Sequence, residues 1–200
     1  MDFKEFSKIP RLSRECVITE KIDGTNGVIY IGEDGEFLIG SRSRWIQPVN
    51  DNYGFAKWAT DHKEELLGLG KGFHYGEWWG SGIQRGYGLP KGEKRFSLFN
   101  VGRWCLHNSE PKRIPNPDPK IEKYRERLPA CCSLVPILWE GIFDTVAIEQ
   151  VLTTLKITGS EASPGFKNPE GIVIFHKAGN VMFKKTILKD DVPKGSHESR

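Results

Sequence analysis

The chain has 200 residues, 38% of them hydrophobic, and carries a formal net charge of +3. This length favours one domain with room for at most a small second module, and the composition is that of a soluble globular protein, not of a coiled coil, a collagen or a disordered chain. The longest apolar runs, such as 134–138 and 171–175, are too short to span a bilayer, and residues 1–14 lack an apolar secretory stretch. We therefore expect an intracellular, cytoplasmic protein with no membrane partner, and the mild charge alone does not indicate a nucleic-acid partner.

Four cysteines are present and none forms a Cys-x-x-Cys pair. Cys131 and Cys132 are neighbours, which does not suit chelation of one tetrahedral metal ion. Cysteines without a framework in an intracellular protein are typically reduced thiols, so we expect no disulfide and no zinc site.

In chain order, the first half of the sequence predicts short strands with one helix among them. The predicted strands are 16–21, 27–31, 36–41, 73–79 and 95–101. Asp23-Gly24 and Asp34-Gly35 are turn signals between the first three strands. A helix is expected to begin near Asp51 and to end at Gly68 and Gly70. Residues 80–88 are too rich in glycine for regular structure and are expected to form a surface loop.

The second half begins with a loop, 109–119, that contains four prolines, and continues with a polar helix, 120–127. A strand at 134–138 and a helix capped by Asp144 follow. Residues 158–169 are small and polar, and we expect them to be mobile. The strands 171–176 and 181–186 then form a hairpin through 178–180, and the tail 190–200 is expected to fray. Together these elements predict an α+β domain built on antiparallel sheet.

Chemistry is indicated where Lys21 leaves an apolar strand and meets the turn Asp23-Gly24. Taken alone, this pattern is also that of a solvated lysine at the mouth of a hairpin. Further charged groups lie at strand ends downstream: Glu77, Glu170, Lys184 and Lys185. Their order and spacing together favour a site.

These residues resemble the motifs of the covalent nucleotidyltransferases, which include ATP-dependent DNA ligases, RNA ligases and mRNA capping enzymes. The first motif of that superfamily is Lys-x-(Asp/His)-Gly, and Lys21-Ile22-Asp23-Gly24 is similar to it. DNA ligases and capping enzymes usually have arginine two residues after the glycine, whereas this chain has Thr25-Asn26. The pattern therefore resembles the RNA ligase branch of the phage-repair and RNA-editing type.

The later motifs follow in the family order. The segments that resemble them are Gly40-Ser41-Arg42-Ser43, Tyr75-Gly76-Glu77, Phe96-Ser97-Leu98-Phe99-Asn100-Val101, Glu170-Gly171-Ile172-Val173 and Met182-Phe183-Lys184. Two departures stand out. Asn100 occupies a position where the family often has aspartate, and the final Lys-x-Lys motif lacks its second lysine, because Lys184 is followed by Lys185 and Thr186. The resemblance covers 16–189.

The resemblance implies a fold of two antiparallel β-sheets flanked by helices, similar to ATP-grasp, with the nucleotide pocket between the sheets. It implies an adenylyltransferase domain over 1–189, followed by a flexible tail over 190–200. Most relatives add a C-terminal domain, but too few residues follow the fifth motif here, so we expect no C-terminal OB or helical domain. Strand ends would then be bound by lysines and arginines on the rim of this domain or by an end-binding protein partner.

The resemblance also assigns roles to individual residues. It implies catalytic roles for Lys21, Glu170, Lys184 and Lys185, and cofactor contacts from Glu20, Lys21, Ile22, Asn26, Arg42, Glu77, Phe99, Glu170 and Lys184. The cofactors are ATP and Mg²⁺ or Mn²⁺, with Glu170 as the metal ligand. Lys21 would attack the α-phosphorus of ATP as a neutral amine; because the pKa of an unperturbed lysine is near ~10.4, the site must activate it.

The function implied is an ATP-dependent polynucleotide ligase, acting as a monomer, that favours RNA and joins 5′-phosphate and 3′-hydroxyl ends through a lysyl-AMP intermediate. A DNA ligase, a guanylyltransferase and a non-catalytic module that binds nucleotides or strand ends remain alternatives. Single residues also have plainer interpretations. Phe99 could belong to the core, Arg42 and Arg44 could be a solvated stripe on a strand, and Lys184 and Lys185 could be protective charges on an edge strand. The loop 80–88 could contact nucleic acid or close over ATP.

Overall fold

The computed structural model of the chain describes residues 3, 5–104, 128–188 and 190. Its strands and α-helices are, in chain order, β1 (Glu15–Lys21), β2 (Thr25–Ile31), β3 (Phe37–Gly40), α1 (Phe55–Asp61), α2 (Lys63–Leu66), β4 (Gly72–Gly80), β5 (Lys94–Leu98), α3 (Val101–Trp104), β6 (Cys132–Leu134), β7 (Ile137–Ile142), α4 (Thr145–Thr158), β8 (Gly171–His176) and β9 (Val181–Thr186). They fall into two compact units. The first contains the chain up to Lys21 and from Pro136 onward, and the second is Ile22–Val135.

The first unit is built on an antiparallel sheet with the strand order β7-β1-β8-β9. Its buried core joins Ile18, Ile172 and Ile174 on the sheet to Ile148 and Leu155 on α4. The helix begins where the sequence predicts, because the Asp144 carboxylate accepts a hydrogen bond from the Val146 N–H at 2.8 Å. One face of this sheet is therefore covered by α4.

The second unit is built on a sheet with the order β3-β2-β4-β5-β6. All pairings are antiparallel except that of β5 with β6. Its core joins Ile29, Trp78 and Phe96 on the sheet to Phe55 on α1 and Leu66 on α2. The predicted α+β class with two largely antiparallel sheets and packed helices is thus confirmed.

The turn Asp23-Gly24 does not close a hairpin. β1 pairs with β7 and β8, and β2 pairs with β3 and β4, so the strands on either side of this turn belong to different sheets. Gly24 serves a close approach instead, because a Cβ atom at this position would lie 2.4 Å from the Trp78 carbonyl oxygen. Asp34-Gly35 does join β2 to β3, as predicted.

Three predicted boundaries are wrong for local reasons. The strand expected over 95–101 ends at Leu98, because the backbone turns into α3 at Val101. The strand expected over 134–138 is divided between β6 and β7, and Pro136, which cannot donate a ladder hydrogen bond, lies at the break. The first helix begins at Phe55 and not near Asp51, whose carboxylate accepts from the N–H groups of residues 56 and 57.

The remaining predictions concern the cysteines, three segments of the second half of the chain, and membrane-spanning helices. Cys16, Cys131 and Cys132, the cysteines within the described residues, are free thiols, and Cys16 is buried. The proline-rich loop 109–119, the polar helix 120–127 and the tail beyond 190 lie outside the described residues. Among the helices that the structure describes, none has the length and apolar character that a bilayer crossing requires.

Candidate active site

The ends of the two central strands of the first sheet bring together the lysine and the second carboxylate of the predicted site. Lys21 ends β1 and lies opposite Gly171 of β8, the residue that follows Glu170. The Lys21 Nζ atom lies 2.5 Å from Glu170 Oε2, with the two side chains 20% and 5% exposed. An ion pair this short between one buried and one mostly buried group fixes both side chains in position.

The register of the same sheet separates the two lysines of the final motif. Residues directly opposite each other in antiparallel strands share a face. Lys184 lies opposite Val173, which lies opposite Thr19, so Lys184 is on the face that Thr19 and Lys21 occupy. The Lys184 side chain is exposed. The structure therefore presents Lys184 on the same surface as the motif lysine.

Lys185 lies on the opposite face, which α4 covers. It is opposite Ile172 of the core, and its Nζ atom lies 3.1 Å from Glu149 Oε1 on α4 and 3.8 Å from Asp190 Oδ2. The hydrogen bond to Glu149 raises the pKa of Lys185. The structure thus does not bring Lys185 to Lys21, and the plain function of its ammonium is to join β9 to α4.

Glu20 also points away from the Lys21 face, because successive residues of a strand alternate. The side chain is 1% exposed, and its Oε2 accepts hydrogen bonds from the N–H groups of Glu161 and Ala162 at 2.8 and 2.9 Å. Its Oε1 atom has no partner, and burial raises the pKa of this carboxyl despite the hydrogen bonds, including one with Ser160. In the segment 158–169, which the sequence predicts to be mobile, Ser160 and Ser163 are buried.

In the second unit, the turn after the motif lysine is held by the loop 80–88. The Asp23 N–H donates to Tyr87 Oη at 2.9 Å, and Arg85 Nε donates to Asp23 Oδ2 at 2.9 Å. Tyr87 is fully buried, with its ring edge-on to Trp79 at a centroid distance of 5.2 Å. The loop is therefore not a free surface loop.

Sequence patterns alone do not connect Arg85 and Tyr87 of this loop to Asp23. A signal is present in hindsight: glycines on both sides of Tyr87 let the chain double back, and Tyr87 itself has a left-handed φ of +52°. A buried tyrosine in that conformation marks a position that its surroundings hold in place.

Glu77 binds the same turn from β4. Its Oε1 accepts from the Gly24 N–H at 2.9 Å and its Oε2 accepts from Asn26 Nδ2 at 3.1 Å. Asn26 and Glu77 lie opposite each other in the β2–β4 register, which explains the second contact. The carboxylate is 8% exposed and organises the backbone of the turn and the Asn26 amide.

Phe99 lies just beyond β5. Its N–H donates to the Tyr75 carbonyl at 2.9 Å, which places it opposite Tyr75 and on the sheet face of Glu77. Phe99 is half-buried, whereas Phe96 is fully buried in the core. The half-exposed ring of Phe99 therefore fits a stacking platform better than it fits a core residue.

The two remaining residues are placed differently from each other. Arg42 is exposed in a turn closed by a 2.8 Å hydrogen bond from the Ser41 N–H to the Arg44 carbonyl, and β3 has already ended at Gly40. The interpretation of Arg42 and Arg44 as a stripe on a strand is therefore wrong. Ile22, between Lys21 and Asp23 in sequence, is 4% exposed and is an ordinary buried apolar side chain.

A metal ion would find few protein ligands here. Within the residues that the structure describes, no group of three or more His, Cys, Asp or Glu side chains is arranged to hold a metal ion. Mg²⁺ commonly uses one or two carboxylates together with waters and substrate phosphates. Glu170, a buried carboxylate beside the motif lysine, fits that mode of binding.

Comparison with known proteins agrees with the fold. Two structures of Naegleria gruberi RNA ligase resemble the chain: one of a single-residue variant with ATP and manganese (TM-score 0.59, 19% identity, 87% of this chain and 50% of that one) and one with pyrophosphate (0.60, 20%, 87% and 50%). A further variant structure with AMP and manganese has a TM-score of 0.60 at 20% identity, over 86% of this chain and 49% of that one.

At this level of identity the likeness shows a shared fold, and the chain spans about half the length of these ligases. No curated protein sequence matches the chain. The family model described as RNA ligase matches residues 14–189, which is most of the sequence and includes every motif described above. The chain belongs to the RNA ligase family.

Proposed function

We propose that this chain is an ATP-dependent RNA ligase that joins a 5′-phosphate to a 3′-hydroxyl through a lysyl-AMP intermediate on Lys21. The observation that carries the proposal is the position of Lys21, at a strand end, 2.5 Å from the buried Glu170 and on the sheet face of Lys184. Membership of the RNA ligase family supports it, and so do the ATP, AMP and pyrophosphate in the Naegleria structures.

In the first step, the neutral amine of Lys21 attacks the α-phosphorus of ATP. A nitrogen–phosphorus bond forms, the bond from the α-phosphorus to the bridging oxygen breaks, and pyrophosphate leaves with that electron pair while the amine gives up a proton. Negative charge grows on the phosphate oxygens, so a cation at the side is stabilising. Lys184, exposed on the Lys21 face, is the protein cation placed to supply it.

Two further transfers complete the reaction. The 5′-phosphate of an RNA end attacks the AMP phosphorus and releases Lys21, which gives an adenylylated end. The 3′-hydroxyl of the other end then attacks the 5′-phosphorus, a phosphodiester forms and AMP leaves. Each step forms one bond to phosphorus and breaks one, so no oxidant or reductant is needed.

A divalent cation, Mg²⁺ or Mn²⁺, would neutralise phosphate charge when bound, and Glu170 is the carboxylate we assign to it. The ion pair means that Glu170 holds the Lys21 ammonium in place before reaction. Glu170 would thus face a cation in both states: the Lys21 ammonium before reaction, and the divalent ion once it is bound.

The remaining predicted residues are assigned by their placement. Phe99 stacks on the adenine, since it is a half-buried ring on the Glu77 face. Glu77 contacts the ribose while it holds Asn26, and Asn26 orients the 5′-phosphate. Arg42, exposed in its turn, contacts sugar or phosphate. Ile22 and Glu20 act from buried positions, by shaping the chain on either side of Lys21.

The wider assignments follow from the family. We propose that residues 1–189 act together as the adenylyltransferase domain with 190–200 as a tail, and that the protein works as a monomer in the cytoplasm on RNA ends. DNA ends and an end-binding protein partner are further candidates for binding.

Sealing of matched nicks tests the proposal. The purified chain is incubated with ATP and Mg²⁺ and with labelled duplexes that carry one nick, made of RNA or of DNA, and with GTP in place of ATP. We expect sealing of RNA ends with ATP, faster than sealing of DNA ends, and lost at raised salt because the contacts are ionic. Sealing of DNA alone, or covalent label from GTP alone, would assign the chain to one of the alternative enzymes.

A further inference from the structure

Four aromatic rings lie together on one face of the second sheet, in an aromatic strip made of Tyr30, Trp45, Phe73 and Tyr75. The ring centroids are 4.6 Å apart for Tyr30 and Phe73, and 6.3 Å apart for Trp45 with either of them. Phe73 and Tyr75 are nearly parallel, at 9° and 5.9 Å. Trp45, Phe73 and Tyr75 are each about half exposed, at 49%, 52% and 52%.

The strip has no role in the core of its unit. Its members project from the face opposite to Ile29, Trp78 and Phe96, because β2 and β4 alternate and Tyr30 lies opposite Phe73. Gly40 makes room for the Trp45 ring, since a Cβ atom there would lie 3.1 Å from it. The space beside Gly40 is therefore occupied by a ring at the surface and not by a core side chain.

The strip is continuous with the candidate site. Along β4, Phe73 and Tyr75 precede Glu77 on the same face, and Phe99 lies opposite Tyr75. A chain of rings thus runs from the proposed adenine platform outward over the sheet. Half-exposed flat rings that follow one another at 4.6–6.3 Å along a surface offer successive bases of a single strand a place to stack.

The charges around the aromatic strip indicate on which side the phosphates of a bound RNA strand would lie. Arg42 and Arg44 are exposed in the turn that leads into Trp45, where phosphates would find cations. The β2–β3 turn at the other end carries Asp34, Glu36 and Glu33, of which Glu33 pairs with Lys71 at 3.9 Å, so that this end stays negative and disfavours phosphate. The backbone of a bound strand would therefore pass over the arginine side.

We propose that the aromatic strip is a stacking platform for the single-stranded RNA segment next to the end that is joined. The proposal deepens the proposed function and rests on it for the identity of the ligand as RNA. It commits to nucleobases on the rings and phosphates at Arg44, with no covalent chemistry at the strip.

Binding of a fluorescein-labelled single-stranded RNA with a 5′-phosphate, followed by anisotropy at fixed salt, tests the platform. The double variant Phe73→Thr/Tyr75→Thr removes two rings while keeping residues that suit a strand. We expect its affinity to fall at least about 10-fold, because each stacked base contributes substantially. Tyr75→Phe, which keeps the ring, should bind like the parent chain, and Arg44→Gln should weaken binding and reduce its dependence on salt.

The controls separate this inference from the proposed function and from misfolding. Val49→Thr changes a residue that is 90% exposed elsewhere in the same unit and should leave RNA affinity unchanged. Formation of lysyl-AMP without RNA should stay within about 2-fold in the single variant Phe73→Thr, because Phe73 lies farther than Tyr75 from Glu77 along β4. A parent chain that binds RNA through the rings but never forms lysyl-AMP would contradict the proposed function alone.

Three results would overturn the platform. The first is unchanged RNA affinity in the double variant. The second is an equal loss of binding in Tyr75→Phe and in the double variant, because that would assign the effect to the fold. The third is a concentration-dependent dimer of the parent chain that the double variant abolishes without any change in RNA binding, since the strip would then be covered by a second copy.

Discussion

The Nζ atom of Lys21 lies 2.5 Å from Oε2 of Glu170, and adjacent strands bring these two residues together across 149 positions of sequence. The pairing holds the proposed nucleophile beside the carboxylate that we assign to the divalent cation. Glu170 is therefore the residue on which we expect the first step to depend.

Glu170→Gln should therefore slow lysyl-AMP formation by about 100-fold, the size of effect typical of lost charge stabilisation in a transition state. The rate is measured from incorporation of labelled AMP at saturating ATP and Mg²⁺. Glu140→Gln, an exposed carboxylate on β7 of the same sheet, is the matched control and should retain the parent rate. Equal rates for the parent and Glu170→Gln would remove Glu170 from the site.

The two lysines of β9 make a second test, because they are neighbours in sequence on opposite faces. Lys184→Ala should lower lysyl-AMP formation by about 100-fold, since it removes the cation on the Lys21 face. Lys185→Ala should keep the rate within a few-fold and lower stability by less than about 1 kcal/mol, because its ion pair with Glu149 is largely exposed to solvent. A reversed order of the two effects would mean that the register assigned to β9 does not govern the chemistry.

Tyr87 supports the turn after the motif lysine, and Tyr87→Phe removes only the hydroxyl that accepts from the Asp23 N–H. We expect a loss of about 1 kcal/mol in the free energy of unfolding, the typical net contribution of one hydrogen bond, because the donor is only partly buried, together with slower lysyl-AMP formation. Chemical denaturation and the labelling assay measure the two effects. Tyr53→Phe, at a tyrosine that is 52% exposed in the same unit, should change neither.

Much of this fold follows from local patterns in the sequence. The hairpin of β8 and β9, the capped start of α4 and the strands β1, β2 and β4 are predicted because alternation, turn residues and the Asp144 cap all act over a few residues. The strand break at Pro136 is not predicted because the apolar run continues through it, and only the pairing of β6 and β7 with different sheets reveals the break. The end of β5 at Leu98 is not predicted because Phe99 and Val101 continue the apolar pattern beyond it.

The site divides in the same way. Lys21, Glu77 and Glu170 could be selected from motif order, but the contacts that Glu77 and Asp23 make with their surroundings depend on long-range packing. Arg85 and Tyr87 reach Asp23 from more than sixty residues away. The separation of Lys184 from Lys185 required the strand register, because a motif alone does not say which of two adjacent residues faces the site.

Glu20 makes the stability of the folded protein depend on pH. Burial raises its pKa in the folded protein above the ordinary value of 4.5, so the folded state holds this proton at pH values where the unfolded chain has lost it. The carboxyl therefore costs stability progressively as the pH rises from about 4.5 through the raised value. The stability advantage of Glu20→Gln over the parent chain should grow across that window and then level off. A difference that is constant with pH, measured by denaturation, would show that Glu20 titrates normally.

The most direct test of the account is the intact mass of the protein after incubation with ATP and Mg²⁺, with peptide mapping of the modified residue. We predict that the parent chain gains the mass of one AMP, that the adduct maps to Lys21, and that Lys21→Ala gains none while unfolding at a temperature close to that of the parent. An adduct on another residue, or a folded parent chain that binds ATP and never gains AMP, would contradict the assignment of Lys21 as the nucleophile.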